Sequence, residues 1–323
     1  MAIILLGAYC AHSGNVENMM LGKLFKTLLV LAVSLSAQAA DVKKLIVFAQ
    51  DNMANDFRRA QVAEVRDAAA RHPQLAFEHS DAQGQTSLLI KQIDDYIAKK
   101  VSLIVVGTND EKAVVPVVAK AYQAGIPVIV LDRGVQTDQY TTFINSDNIL
   151  IGKLGAEYIA RRLNGKGKVL LLEGLPTADV TQLRSKGFLD EIAKHKGIKV
   201  IKRTGNYLRR DAVIEMEKLV ASGERVDAIF SESDSMLSGV RVVLDKNRID
   251  ARKIIMVGCD YTSEAREAIR AGTQTGSVMF PLGGRQTVDT ALDILAGKPV
   301  PKHIVIPVRL VTQDNVEQVP PIF

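Results

Sequence analysis

Along the chain, short unbroken apolar runs alternate with longer stretches in which apolar residues return every three or four positions. The runs are Leu45–Ala49, Ser102–Gly107, Val128–Leu131, Lys168–Glu173, Ile198–Ile201, Val226–Phe230 and Lys253–Gly258. Each is bounded by polar or turn-forming residues and is too short for a buried helix, so it reads as a strand covered on both faces. Between the runs, Phe57, Ala60, Val65 and Ala68 recur at helical spacing within Phe57–Arg71, and Gly125 stops a second helical stretch over Ala113–Ala124. Strands that alternate with helices predict parallel sheets. There are more strands than one sheet comfortably holds, and the polar cluster Asn145-Ser-Asp-Asn148 divides the series. The pattern therefore predicts an α/β fold of two lobes with parallel sheets, with any ligand outside the carboxyl ends of the strands, in a cleft between them.

Composition narrows the function. The 323 residues leave room for two domains, and a net charge of +5 is spread among acids without a Lys/Arg run, which argues against nucleic acid as a partner. The N-terminal part changes the picture more. Two lysines in Met20–Lys26, an apolar stretch over Thr27–Leu35 and small residues at Ala37 and Ala39 have the build of a secretory signal peptide. Residues 1–40 are expected to form a cleaved leader whose natural start is Met19 or Met20, and the mature chain is expected to be exported. Cleavage removes Cys10 and leaves Cys259, so the mature chain forms no internal disulfide, and Cys259 in an apolar run reads as a packed thiol. No dinucleotide fingerprint, P-loop, zinc-protease or serine-hydrolase motif is present, and His72, His79, His195 and His303 are scattered. The expectation is a protein without catalysis, cofactor or metal.

The chemistry sits where the apolar runs end. Asp51 follows the first run, with Phe57 and Arg58 close behind it; Asp132 and Arg133 follow Val128–Leu131. In the second series come Arg184 (on an expected loop before Gly187), Tyr207, Ser233 and Asp234, then Asp260 after Gly258. Charges at the ends of buried strands are costly unless paired or hydrogen-bonded. A single Asp there could simply cap the next helix, and a lone Arg could be a surface residue. The joint recurrence of acids, guanidinium groups and aromatics suits a neutral polyol: carboxylates accept from hydroxyls, arginines donate to them, and an aromatic face covers the C–H side of a sugar ring. On this reading Asp132 and Arg133 pair with one another and with ligand hydroxyls.

Five stretches carry a resemblance: Val128–Arg133, Asn145–Lys153, Arg184–Phe188, Ser233–Met236 and Val257–Asp260. In order, and over essentially the whole mature chain, they resemble the periplasmic sugar-binding proteins of the ribose/galactose type, which share their fold with repressor ligand domains. A repressor is disfavoured because a leader, and no helix-turn-helix, precedes the first strand. The resemblance implies two Rossmann-like lobes joined by three crossovers near Ser146, Met279 and Arg309. It implies an N-terminal lobe of residues 41–146 plus 280–309 and a C-terminal lobe of 147–279 plus 310–323. It further implies a periplasmic monomer that closes on a sugar and delivers it to an inner-membrane ABC permease, or docks instead on a chemoreceptor or sensor kinase. Asp132, Arg133, Arg184 and Asp260 match family ligand positions, and Phe57 and Tyr207 match aromatic ones. The stretch from Ala49 to Arg58 also resembles the galactofuranose branch, which favours Arg58 as a contact. Gly107, Ser233 and Met279 stand where the ribose type has amides, which argues against ribose itself; Asp51 and Arg58 are expected to compensate, with a ligand of different size or one bearing a charged group.

Overall fold

The computed structural model describes residues 43–323; the leader expected over residues 1–40 lies outside them. The first sheet contains β1 (Lys44–Gln50), β2 (Leu75–Asp81), β3 (Leu103–Gly107), β4 (Val128–Leu131) and β5 (Thr142–Asn145). The second contains β6 (Lys166–Glu173), β7 (Gly197–Thr204), β8 (Ala228–Ser231), β9 (Ile255–Asp260) and β10 (Gly276–Met279). Late in the chain, β11 (His303–Val305) joins the first sheet beside β5, and β12 (Arg309–Thr312) joins the second beside β10. The spatial orders are β11-β5-β4-β3-β1-β2 and β12-β10-β9-β8-β6-β7. All pairings are parallel except that of β10 with β12. In both sheets the strand order reverses beside the first strand, which is where open α/β sheets hold their ligands.

Nine helices among the described residues cover the sheets: α1 (Asp56–Ala69), α2 (Thr86–Ala98), α3 (Val115–Gln123), α4 (Asn148–Arg162), α5 (Asp179–Ile192), α6 (Arg209–Ala221), α7 (Asp234–Lys246), α8 (Ser263–Arg270) and α9 (Gly284–Leu295). Strand alternation explains the two-sided burial. Ile46 and Phe48 of β1 pack with Val62 and Val65 of α1 and with Val288 and Ala291 of α9. Val47 and Ala49 face the other way, onto Leu89 and Ile93 of α2 and Val117 and Val118 of α3. Val169 and Leu171 of β6 likewise join one core while Leu170 and Leu172 join another. Fully burying each such side chain contributes about 1.5–3 kcal/mol.

The chain moves from one sheet to the other between β5 and α4, between β10 and α9, and between β11 and β12. We call each sheet with its helices a lobe. Side chains cap two of the helices that begin beside the cleft: Asn55 accepts from the Arg58 amide and Ser233 from the Met236 amide.

Five strands do not stand out as apolar runs. In β2, β5 and β12 half-buried or exposed residues flank or interrupt the buried ones, β11 has no buried residue, and β10 opens on Gly276 and Ser277 rather than on large apolar side chains. Three of them, β2, β11 and β12, lie at sheet edges, where one flank needs no apolar cover.

Candidate functional site

At the carboxyl ends of the strands a narrow cavity lies between the lobes, with a free volume of about 20 Å3, room for little more than a water molecule as the lobes stand. Asn55, Phe57, Arg58, Asp132 and Arg133 line it from the first lobe. Val180, Arg184, Tyr207, Ser233 and Asp260 line it from the second, and Phe280 comes from the segment after β10.

On the first wall the charges pair crosswise. Arg58 Nη1 lies 2.7 Å from Asp132 Oδ2, whereas Arg133 Nη1 donates to Asp51 Oδ2 at 3.2 Å. The expectation that Asp132 and Arg133 pair with each other is therefore corrected: each finds its partner on the β1–α1 segment instead. Asp51 also lies 3.9 Å from Arg58 Nε, so it stands behind both guanidinium groups rather than on the cavity wall. Gln61 locks the arrangement, accepting from Arg58 Nη1 at 3.0 Å and donating to the Leu282 carbonyl at 3.0 Å. Asp132 Oδ1 and Arg133 Nε are buried without a protein partner. Such atoms are costly unless something polar meets them. Burial, and then the neighbouring Arg58, work against the Arg133 charge and lower its pKa.

On the second wall Arg184 belongs to α5, not to the expected loop. A helix places it more firmly. Its Nε donates to Asn148 Oδ1 at 2.8 Å and its Nη1 to the Glu232 carbonyl at 2.8 Å, while its guanidinium carbon stands 4.6 Å from the centre of the Phe280 ring. Glycines make this geometry possible. A Cβ on Gly152 would lie 2.0 Å from the Arg184 carbonyl oxygen, and one on Gly187 would lie 2.1 Å from that of Ile149. Only glycine lets α4 and α5 approach so closely. The Tyr207 ring closes the far side, with its hydroxyl 2.7 Å from Thr181 Oγ1. Phe57 stacks on Phe280 with centroids 5.1 Å apart, which gives the otherwise polar cavity one apolar flank.

Asp260 and Asp132 are buried acids with positive φ, 109° and 70°. Neither caps a helix; Thr262 caps α8. Burial raises the Asp260 pKa well above the ordinary carboxylate value, with Arg184 opposing. Behind Tyr207 lies Glu232, pushed up to about 7 by burial, against the Gly174 amide and Arg184. Ser185 Oγ is 2.8 Å from Glu232 Oε1 and 2.9 Å from Glu173 Oε1. One hydroxyl hydrogen cannot serve two carboxylates, so a proton on the buried Glu232 satisfies all three groups.

Two sequence candidates fall elsewhere. Asp234 accepts from Ser277 Oγ at 2.6 Å, from the Tyr261 amide at 2.7 Å and from Gln274 Nε2 at 2.8 Å; its carboxylate is spent bracing the β9–α8 turn. Met279 packs on the cluster of Tyr261, Val311 and Val316, because strand alternation sends it to the other face, and its neighbour Phe280 reaches the cavity. Asn55, Val180 and Phe280 were missed. A signal for Phe280 was available: it is the first residue past β10, the position that Asp132 occupies past β4.

Comparisons with known proteins agree with this architecture. A family model described as a periplasmic binding protein domain matches residues 46–299. The ribose import binding protein of Haemophilus influenzae is 30% identical, over 88% of this chain and 96% of its own length. A solute-binding protein of an ABC transporter from Bacillus halodurans, solved with bound myo-inositol, is 28% identical with a TM-score of 0.81, covering 87% of this chain and 98% of that one. The fructose-binding periplasmic domain of a hybrid two-component system is also 28% identical, with a TM-score of 0.79, over 85% of this chain and 92% of that domain.

Proposed function

This chain belongs to the periplasmic binding protein family, and from that premise we propose that it captures a small sugar or cyclic polyol and presents it to an inner-membrane ABC permease. One observation carries the reading: acids and guanidinium groups from both lobes converge beside an aromatic flank on one cavity between the lobes. Asp132 and Asp260 accept from hydroxyls, Arg58, Arg133 and Arg184 donate to them, and Phe57 with Phe280 faces the ring carbons. Asp51 acts at one remove, by orienting two of the arginines. Ser233 accepts the Met236 amide as the cap of α7 and keeps its hydroxyl hydrogen to donate into the cavity.

The lobes, residues 41–146 with 280–309 and residues 147–279 with 310–323, hinge about the three crossovers and close when cargo touches both walls. The closed shape is what a partner reads. The protein works in the periplasm, as a monomer, by binding rather than by chemistry. A sensory reading, with docking on a chemoreceptor or sensor kinase, draws support from the likeness to a fructose-binding domain of a two-component system. Deleting the gene and following both sugar uptake and sugar-dependent gene induction separates the two.

Thermal-shift screening of the chain from residue 41 against pentoses, hexoses, cyclic and linear polyols and sugar acids tests the reading. A stabilising neutral sugar or polyol supports it. Silence across the neutral members, or a response to sugar acids alone, refutes the ligand class.

A further inference from the structure

Immediately after Asp132 and Arg133 comes Gly134, whose amide leaves its own lobe. It donates to Asp179 Oδ2 at 2.9 Å, and Asp179 is the first residue of α5 on the other lobe. A Cβ on Gly134 would lie 3.1 Å from that same oxygen, tighter than ordinary contact, so the absence of a side chain is what allows the approach. Asp179 does not line the cavity. The contact therefore spans the lobes without involving cargo. A second crossing lies at another point of the cleft, where Ser235 Oγ donates to Asp56 Oδ2 at 3.1 Å and Arg209 Nη2 stands 3.8 Å from the same oxygen.

We propose that the Asp179 carboxylate and the Gly134 amide form a latch that holds the lobes together whatever the cargo, so that Asp179 is a positioning residue setting overall affinity without setting selectivity. A protein that binds tightly only when closed shows an apparent affinity scaled by its capacity to close, and that factor is common to every ligand. Breaking the latch weakens all ligands equally; breaking a cavity contact weakens those that use it. The competing role for Asp179 is simpler: an acid at a helix N-terminus favoured by the helix dipole. The two roles separate through the carboxamide. Asparagine loses the charge but keeps an oxygen that can accept from Gly134, whereas alanine loses both.

The latch rests on the binding reading above, and the test keeps the two apart. Calorimetry on wild type, Asp179→Ala and Asp179→Asn with two sugars from the screen is expected to show alanine weakening both by the same factor, about tenfold for a charge-assisted hydrogen bond. Asparagine is expected to stay within about threefold of wild type. Unchanged affinity in the alanine variant, an altered ratio between the two sugars, or asparagine as weak as alanine overturns the latch. If no sugar binds, the import reading fails by itself. The latch is then read from spin labels, one on each lobe of the full chain: a longer interlobe distance in Asp179→Ala supports it, and an unchanged distance overturns it.

Discussion

Asp132 and Asp260 occupy equivalent places in the two lobes. Asp132 follows β4 and Asp260 ends β9, the corresponding strands of two sheets with the same order, and both have positive φ. A non-glycine residue held there costs roughly 1–3 kcal/mol. The strain turns each carboxylate off its strand and into the cavity, one from either side. Their surroundings differ: Asp132 has Arg58 at 2.7 Å, whereas burial leaves Asp260 with a raised pKa.

That difference predicts opposite stability effects from two changes that both abolish binding. Asp260→Gly relieves the strained φ and removes a buried acid, so its Tm is expected to rise. Asp132→Ala strands the buried Arg58 guanidinium, so its Tm is expected to fall, by about 1–3 kcal/mol of stability. Thermal melts and calorimetry on both variants check this. Equal shifts in the two melts contradict the assignment of Arg58 to Asp132.

Much of this was legible beforehand because buried strands announce themselves. The acids after Val128–Leu131 and after Gly258 stand out against continuous apolar runs, and the structure puts both in the cavity. What sequence could not supply was facing. Met279 and Phe280 are neighbours with equal hydrophobic character, and only the register of β10 decides that Phe280 reaches the cavity. Nor does a sequence show that Asp132 passes over its neighbour for Arg58, a full helix start away. Arg184 was read as a residue of a loop before Gly187, but both lie in α5, where the glycine serves close packing on α4.

That packing yields a second prediction. Gly152→Ala would bring a Cβ within 2.0 Å of the Arg184 carbonyl and 2.7 Å of the Phe188 amide nitrogen. The helices must separate, at a cost of about 1–3 kcal/mol, and Arg184 moves with α5. A lower denaturation midpoint with weakened sugar binding is expected. An alanine variant that melts and binds like wild type contradicts the close approach.

A third prediction concerns pH. Glu232 is pushed up to about 7 from an ordinary 4.5 by burial. Between those values the folded chain keeps a proton that the unfolded chain has released. Stability from this group is therefore greatest below pH 4.5, falls as pH rises, and levels off above about 7. The loss is up to roughly 3 kcal/mol, at about 1.4 kcal/mol per pH unit. Asp234 and Asp260, also raised by burial, act with the same sign. Glu232→Gln can still accept from the Gly174 amide and donate to Ser185, so it should flatten the slope between pH 5 and 7.5. Parallel wild-type and variant Tm profiles contradict a proton on Glu232.

The most direct measurement is a crystal structure of the chain with the tightest-binding sugar from the screen. The expected result is one sugar ring between the lobes, its hydroxyls within hydrogen-bond reach of Asp132 and Asp260, the guanidinium groups of Arg133 and Arg184 turned toward it, and Phe57 or Phe280 against its carbons. Cargo bound outside this cavity, or inside it without either aspartate, contradicts the account.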